Sequence, residues 1–182
     1  NHYLFLDEML LVFFYLKKYK LIDKKKLFKE LSLNFEDKKI LITFHPETNS
    51  DLEYEKQINI ILESIKDLKK EQLIFTFNNS DPYGHIFLKK IKKYITSKKN
   101  IRIFSSLGSL KYLSLLKNVD LVIGNSSSGV IEAPAAKVPT LNIGTRQKGR
   151  VVYDSIINCE LNSNKIKNVI NRMLYKKIKK KK

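Results

Sequence analysis

From residue 40 onward the chain repeats one rhythm: a short apolar run, a polar loop, then an amphipathic stretch. The apolar runs at 40–44, 73–77, 101–104, 121–123 and 140–143 are short and rich in β-branched or aromatic residues. Strands covered on both faces read this way, because neither side of the pleat meets water. Between them Ile58, Ile61, Leu62, Ile65 and Leu68 recur at spacings of three and four, as do Phe87, Leu88, Ile91 and Ile95. Leu110, Leu113 and Leu116 keep the same period behind Ser109, which is read as an N-cap. A closing helix carries Ile166, Val169, Ile170 and Met173 on one face, with Asn162, Ser163 or Asn164 available to cap it.

Strands and helices that alternate through such short connections build right-handed βαβ units. The expected fold is α/β, a Rossmann-like doubly wound parallel sheet. In such sheets ligands gather beyond the C-terminal strand ends. The loops that follow the strands are therefore where function is to be sought.

Residues 1–39 are less regular. The stretch 23–33 reads as a helix with Leu27, Phe28 and Leu31 on one side, whereas 3–15 is apolar without a clean period. Residues 1–20 are left unassigned, as a core element or a remnant of an interdomain segment, and 21–182 is read as one domain. The apolar run 9–16 falls far short of the roughly 20 residues that a membrane helix needs. The N-terminus has no basic region and carries Asp7 and Glu8, unlike a secretory leader. The first residue, Asn1, reads as a position inside a longer protein.

The formal charge of +17 raises the question of nucleic acid. Of 35 basic residues only Arg102, Arg146, Arg150 and Arg172 are arginine, the side chain best suited to reading bases and phosphates. The lysines are spread over every helix and collect in a terminal tail at 176–182, so no nucleic-acid partner is expected. One cysteine, Cys159, excludes a disulfide framework and suits a reducing cytoplasm. The histidines His2, His45 and His85 show no metal-ligand spacing, so no metal is expected.

Four post-strand loops carry chemistry: His45-Pro46-Glu47-Thr48-Asn49, Asn78-Asn79-Ser80-Asp81, Gly124 through Gly129 (GNSSSG), and Gly144-Thr145-Arg146-Gln147. Each also has a plain reading. A histidine before proline ends a strand, Asn-Asn-Ser-Asp is ordinary turn chemistry, and Glu132 in a first helical turn complements the helix dipole. All four loops are expected on one sheet edge, where their polar groups converge. The serine loop is the strongest element. If it opens a helix, unpartnered amides and partial positive charge lie there, small residues admit a phosphate, and the hydroxyls of Ser126, Ser127 and Ser128 add donors. Glu132 would accept from vicinal ribose hydroxyls, and Pro134 is tolerated within a first turn. No Gly-Lys-Ser/Thr and no GxGxxG is present, so a nucleotide sugar suits the loop better than ATP or NAD.

The segments HPET (45–48), GNSSSGVIEAP (124–134) and NIGTRQKGR (142–150), in that order, resemble the UDP-N-acetylglucosamine 2-epimerase family over roughly residues 20–175. The Asn-Ser-Ser-Ser-Gly and Gly-Thr-Arg-Gln versions resemble its hydrolysing branch, which releases UDP and N-acetylmannosamine or a related sugar for sialic-acid-like nonulosonates. The resemblance implies the C-terminal, nucleotide-holding domain of a two-domain, glycosyltransferase-B-like enzyme. By the same resemblance, His45 lies near diphosphate and sugar and is the catalytic candidate. Asn79 contacts uridine, Ser126 and Ser127 the diphosphate, Glu132 the ribose, and Arg146 the UDP region, with Ser128 counted among the UDP-binding residues from the loop reading above. No cofactor is implied. The partners implied are a UDP-sugar, the N-terminal domain that holds the family's principal catalytic carboxylates, and a homo-oligomer. Residues 1–19 do not resemble the family's interdomain segment. Two other readings stay open at this point, a sugar transferase of the same architecture and a non-catalytic nucleotide-binding module.

Overall fold

The computed structural model describes residues 10–12, 14, 16–18, 20–77, 84–95, 98–150 and 153–175, with side chains from residue 88 onward in the segment 84–95. Its elements are α1 (Lys24–Glu30), β1 (Lys39–Thr43), α2 (Tyr54–Ser64), β2 (Gln72–Thr76), α3 (Gly84–Ile95), β3 (Ile101–Phe104), α4 (Gly108–Leu116), β4 (Leu121–Gly124), a 3₁₀ turn (Ser127–Gly129), α5 (Glu132–Ala135), β5 (Thr140–Ile143), β6 (Ile156–Cys159) and α6 (Ser163–Tyr175). Six strands form one parallel sheet in the order β3-β2-β1-β4-β5-β6. The five expected strands are all present.

The sixth strand was not anticipated. Ile156-Ile157-Asn158-Cys159 lies at the sheet edge and alternates buried Ile156 with an exposed Asn158. Four residues with a polar one among them do not rise above the background of a loop.

Side chains alternate across the pleat and so divide the core in two. Ile40, Ile42, Leu73, Phe75, Leu121, Ile123, Leu141 and Ile143 pack with Ile58, Ile61 and Ile65 around α2, Ile91 of α3, and Ile166, Ile170 and Leu174 of α6. Leu41, Ile74 and Val122 face the other way, onto Leu27, Phe28 and Leu31 of α1, Leu113, Leu115 and Leu116 of α4, and Ala133 of α5. Val12 and Leu16 lean on this second cluster, which joins the otherwise unassigned N-terminal stretch to the domain. The crossovers through α2 and α3 thus cover one face and those through α4 and α5 the other. The winding reverses between β1 and β4, which are neighbours in the sheet.

Helix ends follow local chemistry. The Asp23 carboxylate accepts from the amides of Lys25 (2.9 Å) and Lys26 (3.2 Å), capping α1. At α6 it is Asn162 whose side chain accepts from Lys165 N at 3.0 Å. Ser109, expected to cap α4, is instead its second residue. The helix begins at Gly108, whose amide reaches the Ser106 hydroxyl at 3.3 Å, and the positive φ of +65° at Gly108 lets the chain turn in one residue early. Among the described residues no helix is long and apolar enough to cross a membrane.

Candidate functional site

Parallel strands put the loops that follow them on one edge, and here residues at or beyond the ends of five strands, β1 to β5, line an open cleft of about 600 Å³. Its walls include Thr43 at the end of β1 and His45 beyond it, Thr76 at the end of β2 and Phe77 beyond it, Ser105 and Ser106 after β3, Ser126, Ser127 and Ser128 after β4, and Arg146 after β5. The residues expected to converge therefore do so, apart from two. Asn79, with its neighbour Asn78, lies outside the described residues. Glu132 lines an adjoining cavity of about 320 Å³ with Leu11, Val12 and Leu113, and the two cavities share Ser109 and Tyr112. The larger volume falls within the roughly 300–1,000 Å³ typical of small-ligand sites.

The serine loop is not the start of one regular helix. A single 3₁₀ turn, Ser127–Gly129, is followed by the separate four-residue α5. Ser126 caps the turn, its Oγ accepting from Ser128 N at 3.4 Å and its carbonyl from Gly129 N at 3.1 Å. Pro134 interrupts any longer helix, since it lacks an N–H and crowds the preceding turn. A macrodipole summed over several turns is therefore absent, and what the loop offers an anion is local: the first amides of a tight turn and three hydroxyls.

The chain can run this close to β1 only because residue 124 is glycine. At φ +138° a Cβ there would stand 1.9 Å from the Thr43 carbonyl oxygen. The next residue, Asn125, is fully buried and grips the backbone of His45 from both sides. Its Oδ1 accepts from His45 N at 2.8 Å, and its Nδ2 donates to His45 O at 2.7 Å. Gln147 in turn donates through Nε2 to the Asn125 carbonyl at 2.6 Å. Thr43 and Thr76 close the floor with a 2.5 Å hydroxyl contact.

A second network joins the β1 and β5 loops. Glu47 Oε1 accepts from Thr145 N (2.7 Å) and Arg146 N (2.8 Å), while Oε2 accepts from the Thr145 hydroxyl at 3.1 Å. Buried Gln57 of α2 holds Glu47 by its backbone, accepting from Glu47 N at 2.7 Å and donating to Glu47 O at 3.0 Å.

On the opposite wall the Tyr112 hydroxyl meets Ser128 Oγ in a short hydrogen bond. Burial pushes the Tyr112 phenol up to about 12, further raised by the nearby charge of Glu132 and partly offset by the Ser128 contact. The hydroxyl is thus neutral at ordinary pH.

Asn125, Glu47, Gln57, Gln147 and Tyr112 were given no role from sequence. Asn125, Glu47 and Gln147 sit inside the loops already singled out, where a polar residue beside an apolar strand end needs a partner. Tyr112 lies four residues before Leu116 and reads as one more helical core residue. The loop at 105–109 also lines the cleft, and in sequence its serines after a strand resemble a plain turn.

The family model described as UDP-N-acetylglucosamine 2-epimerase matches residues 5–182. The chain belongs to this epimerase family. It is 39% identical over 148 residues to the GDP/UDP-N,N'-diacetylbacillosamine 2-epimerase (hydrolyzing) of Campylobacter jejuni, a match spanning 81% of this chain and 38% of that protein. It is 40% identical over 132 residues to a polysialic acid biosynthesis protein of Escherichia coli, spanning 72% and 34%. That Campylobacter relative and one from Legionella pneumophila, 32% identical over 126 residues and spanning 69% of this chain and 33% of that protein, are both named as hydrolysing. Among solved structures it resembles the UDP-GlcNAc 2-epimerase of Methanocaldococcus jannaschii in complex with UDP-GlcNAc and UDP, with TM-score 0.63 and 26% identity over 84% of this chain and 42% of that one. Solved glycosyltransferases share the same fold at identities of 15% and 11%. The chain spans about two-fifths of the length of the epimerases that it matches.

Proposed function

We propose that this chain is the UDP-holding domain of a hydrolysing UDP-N-acetylglucosamine 2-epimerase, acting on UDP-N-acetylglucosamine or a close relative to release UDP and a 2-epimeric sugar for nonulosonate synthesis. The observation that carries the reading is the joint lining of one cleft by His45, Ser126, Ser127, Ser128 and Arg146, which come from three separate loops. The serine hydroxyls and first turn amides would take the diphosphate, with the Arg146 guanidinium adding charge. Tyr112 supports the serine wall through its hydroxyl contact with Ser128 Oγ, in which either oxygen can donate. Glu132, across Tyr112 in the adjoining cavity, is assigned to the ribose hydroxyls, and Asn79 to uridine.

In the reaction proposed for the whole enzyme, a base takes the proton from sugar C2 while the C1–O bond to the diphosphate breaks. The products of that step are a glycal and UDP. Water then adds across the double bond, hydroxyl to C1 and proton to C2 from the other face. This chain's share is leaving-group stabilisation by the serine loop and Arg146, with His45 beside the reacting sugar as the catalytic residue. The carboxylates that move the C2 proton are assigned to a preceding domain, and residues 21–182 to the nucleotide-binding one. A nucleotide-sugar substrate and the single Cys159 support a cytoplasmic setting.

The test is calorimetric titration of UDP into this chain. Saturable binding that is abolished by Ser127→Glu, which sets a carboxylate where the diphosphate belongs, is expected. Binding unaffected by that substitution refutes the phosphate cradle. Incubating the full-length protein with UDP-N-acetylglucosamine and water tests the reaction. UDP and N-acetylmannosamine should appear without an acceptor, and a requirement for one would assign the protein to the sugar transferases.

A further inference from the structure

Two residues beyond His45 stands a carboxylate that would ordinarily be taken for a proton-transfer group of the same cleft. Its geometry assigns it otherwise. Both oxygens of Glu47 are occupied by the β5 loop, through the amides of Thr145 and Arg146 and the hydroxyl of Thr145. The loop is shaped to receive it: Gly144 has φ +80°, and a Cβ there would stand 2.5 Å from Glu47 Oε1. From behind, the buried amide of Gln57 fixes the Glu47 backbone, so that the carboxylate is delivered from α2 through β1's loop to β5's.

We infer that Glu47 is a positioning residue: its carboxylate staples the Thr145–Arg146 backbone and thereby sets where the Arg146 guanidinium enters the cleft. The inference rests on the UDP-site reading given above. A carboxylate that already accepts three hydrogen bonds from one loop is committed to holding that loop, and its worth lies in geometry. A glutamine in its place keeps the staple, since the amide oxygen still accepts from both backbone N–H groups and the amide nitrogen donates to the Thr145 hydroxyl. An alanine removes it.

The experiment has two arms on the 182-residue chain. Amide hydrogen exchange at Thr145 and Arg146, read by NMR, should be slow in wild type and in Glu47→Gln and fast in Glu47→Ala. UDP affinity should fall about tenfold in Glu47→Ala and stay within about threefold of wild type in Glu47→Gln, as expected for losing hydrogen bonds to an ionised group. In an Arg146→Ala background Glu47→Ala should cost nothing further, because its effect passes through that side chain. Equal exchange in wild type and Glu47→Ala overturns the inference, and so does a Glu47→Gln as weak as Glu47→Ala, or full additivity with Arg146→Ala. A wild type that ignores UDP refutes the functional reading alone, while the exchange arm still decides the staple. A global loss of protection in Glu47→Ala, in place of one confined to the β5 loop, also counts against it.

Discussion

Asn125 shows what a single side chain contributes to this site. Its amide supplies one acceptor and one donor to the two backbone groups of His45 beside a strand end. Asn125→Leu, which keeps the branching and heavy-atom count, should destabilise the domain by about 2–4 kcal/mol, because buried polar groups lose their partners without gaining water. Urea denaturation checks this, and an unchanged midpoint would show that the clamp is dispensable. Gly124→Ala should be worse, since the added carbon would collide with the Thr43 carbonyl and part β1 from β4. Tyr112 makes a prediction about pH. Its folded value of about 12 exceeds the ordinary 10.0, so the stability from burying the neutral phenol is complete below pH about 10 and is lost as pH rises towards about 12. Wild type should therefore lose stability relative to Tyr112→Phe across that window in denaturation series at fixed pH. Parallel curves would contradict it. His45 and the serines stand out in the sequence because their types suggest a task, and the structure brings them to one cleft. Asn125 and Glu47 do not stand out, because their task is defined by partners 80 and 98 positions away.

At the scale of elements, the α2 and α6 helices were readable because their apolar residues recur at helical spacing and their packing partners are interchangeable aliphatics. Ile61 is fully buried between α2 and the sheet, and Ile61→Ala should cost about 2–5 kcal/mol, measurable by thermal or urea unfolding. A loss under ~1 kcal/mol would mean that the α2 face collapses to fill the space. The serine loop was harder to read. Three serines after a strand suit a helix start, but Pro134 follows too soon for a long helix. The chain settles into a 3₁₀ turn and then a four-residue helix. The error lay in the length of the element and left its location untouched. β6 shows the opposite failure, in which pairing with β5 decides a strand that its own four residues do not announce.

The whole molecule carries a formal net charge of +17, the surplus of 35 basic over 18 acidic side chains, so surface ion pairs such as Lys90–Glu55 and Lys111–Glu30 leave many lysines without an acidic counterpart. Self-repulsion of this size should be relieved by salt, so the melting temperature should rise on going from low to physiological ionic strength. A fall would show that those surface pairs outweigh the net repulsion. UDP at about a hundredfold over its Kd should stabilise the chain by about 2.7 kcal/mol, and each kcal/mol shifts melting by about 2–4 °C at this size. The reversal of winding between β1 and β4 has one more consequence. The helices diverge there, so the hollow beyond those strands follows from topology and needs no apolar packing to be broken before a ligand enters. Occupying it should leave the backbone where it stands, so a nucleotide added to this chain should bind without displacing the strands.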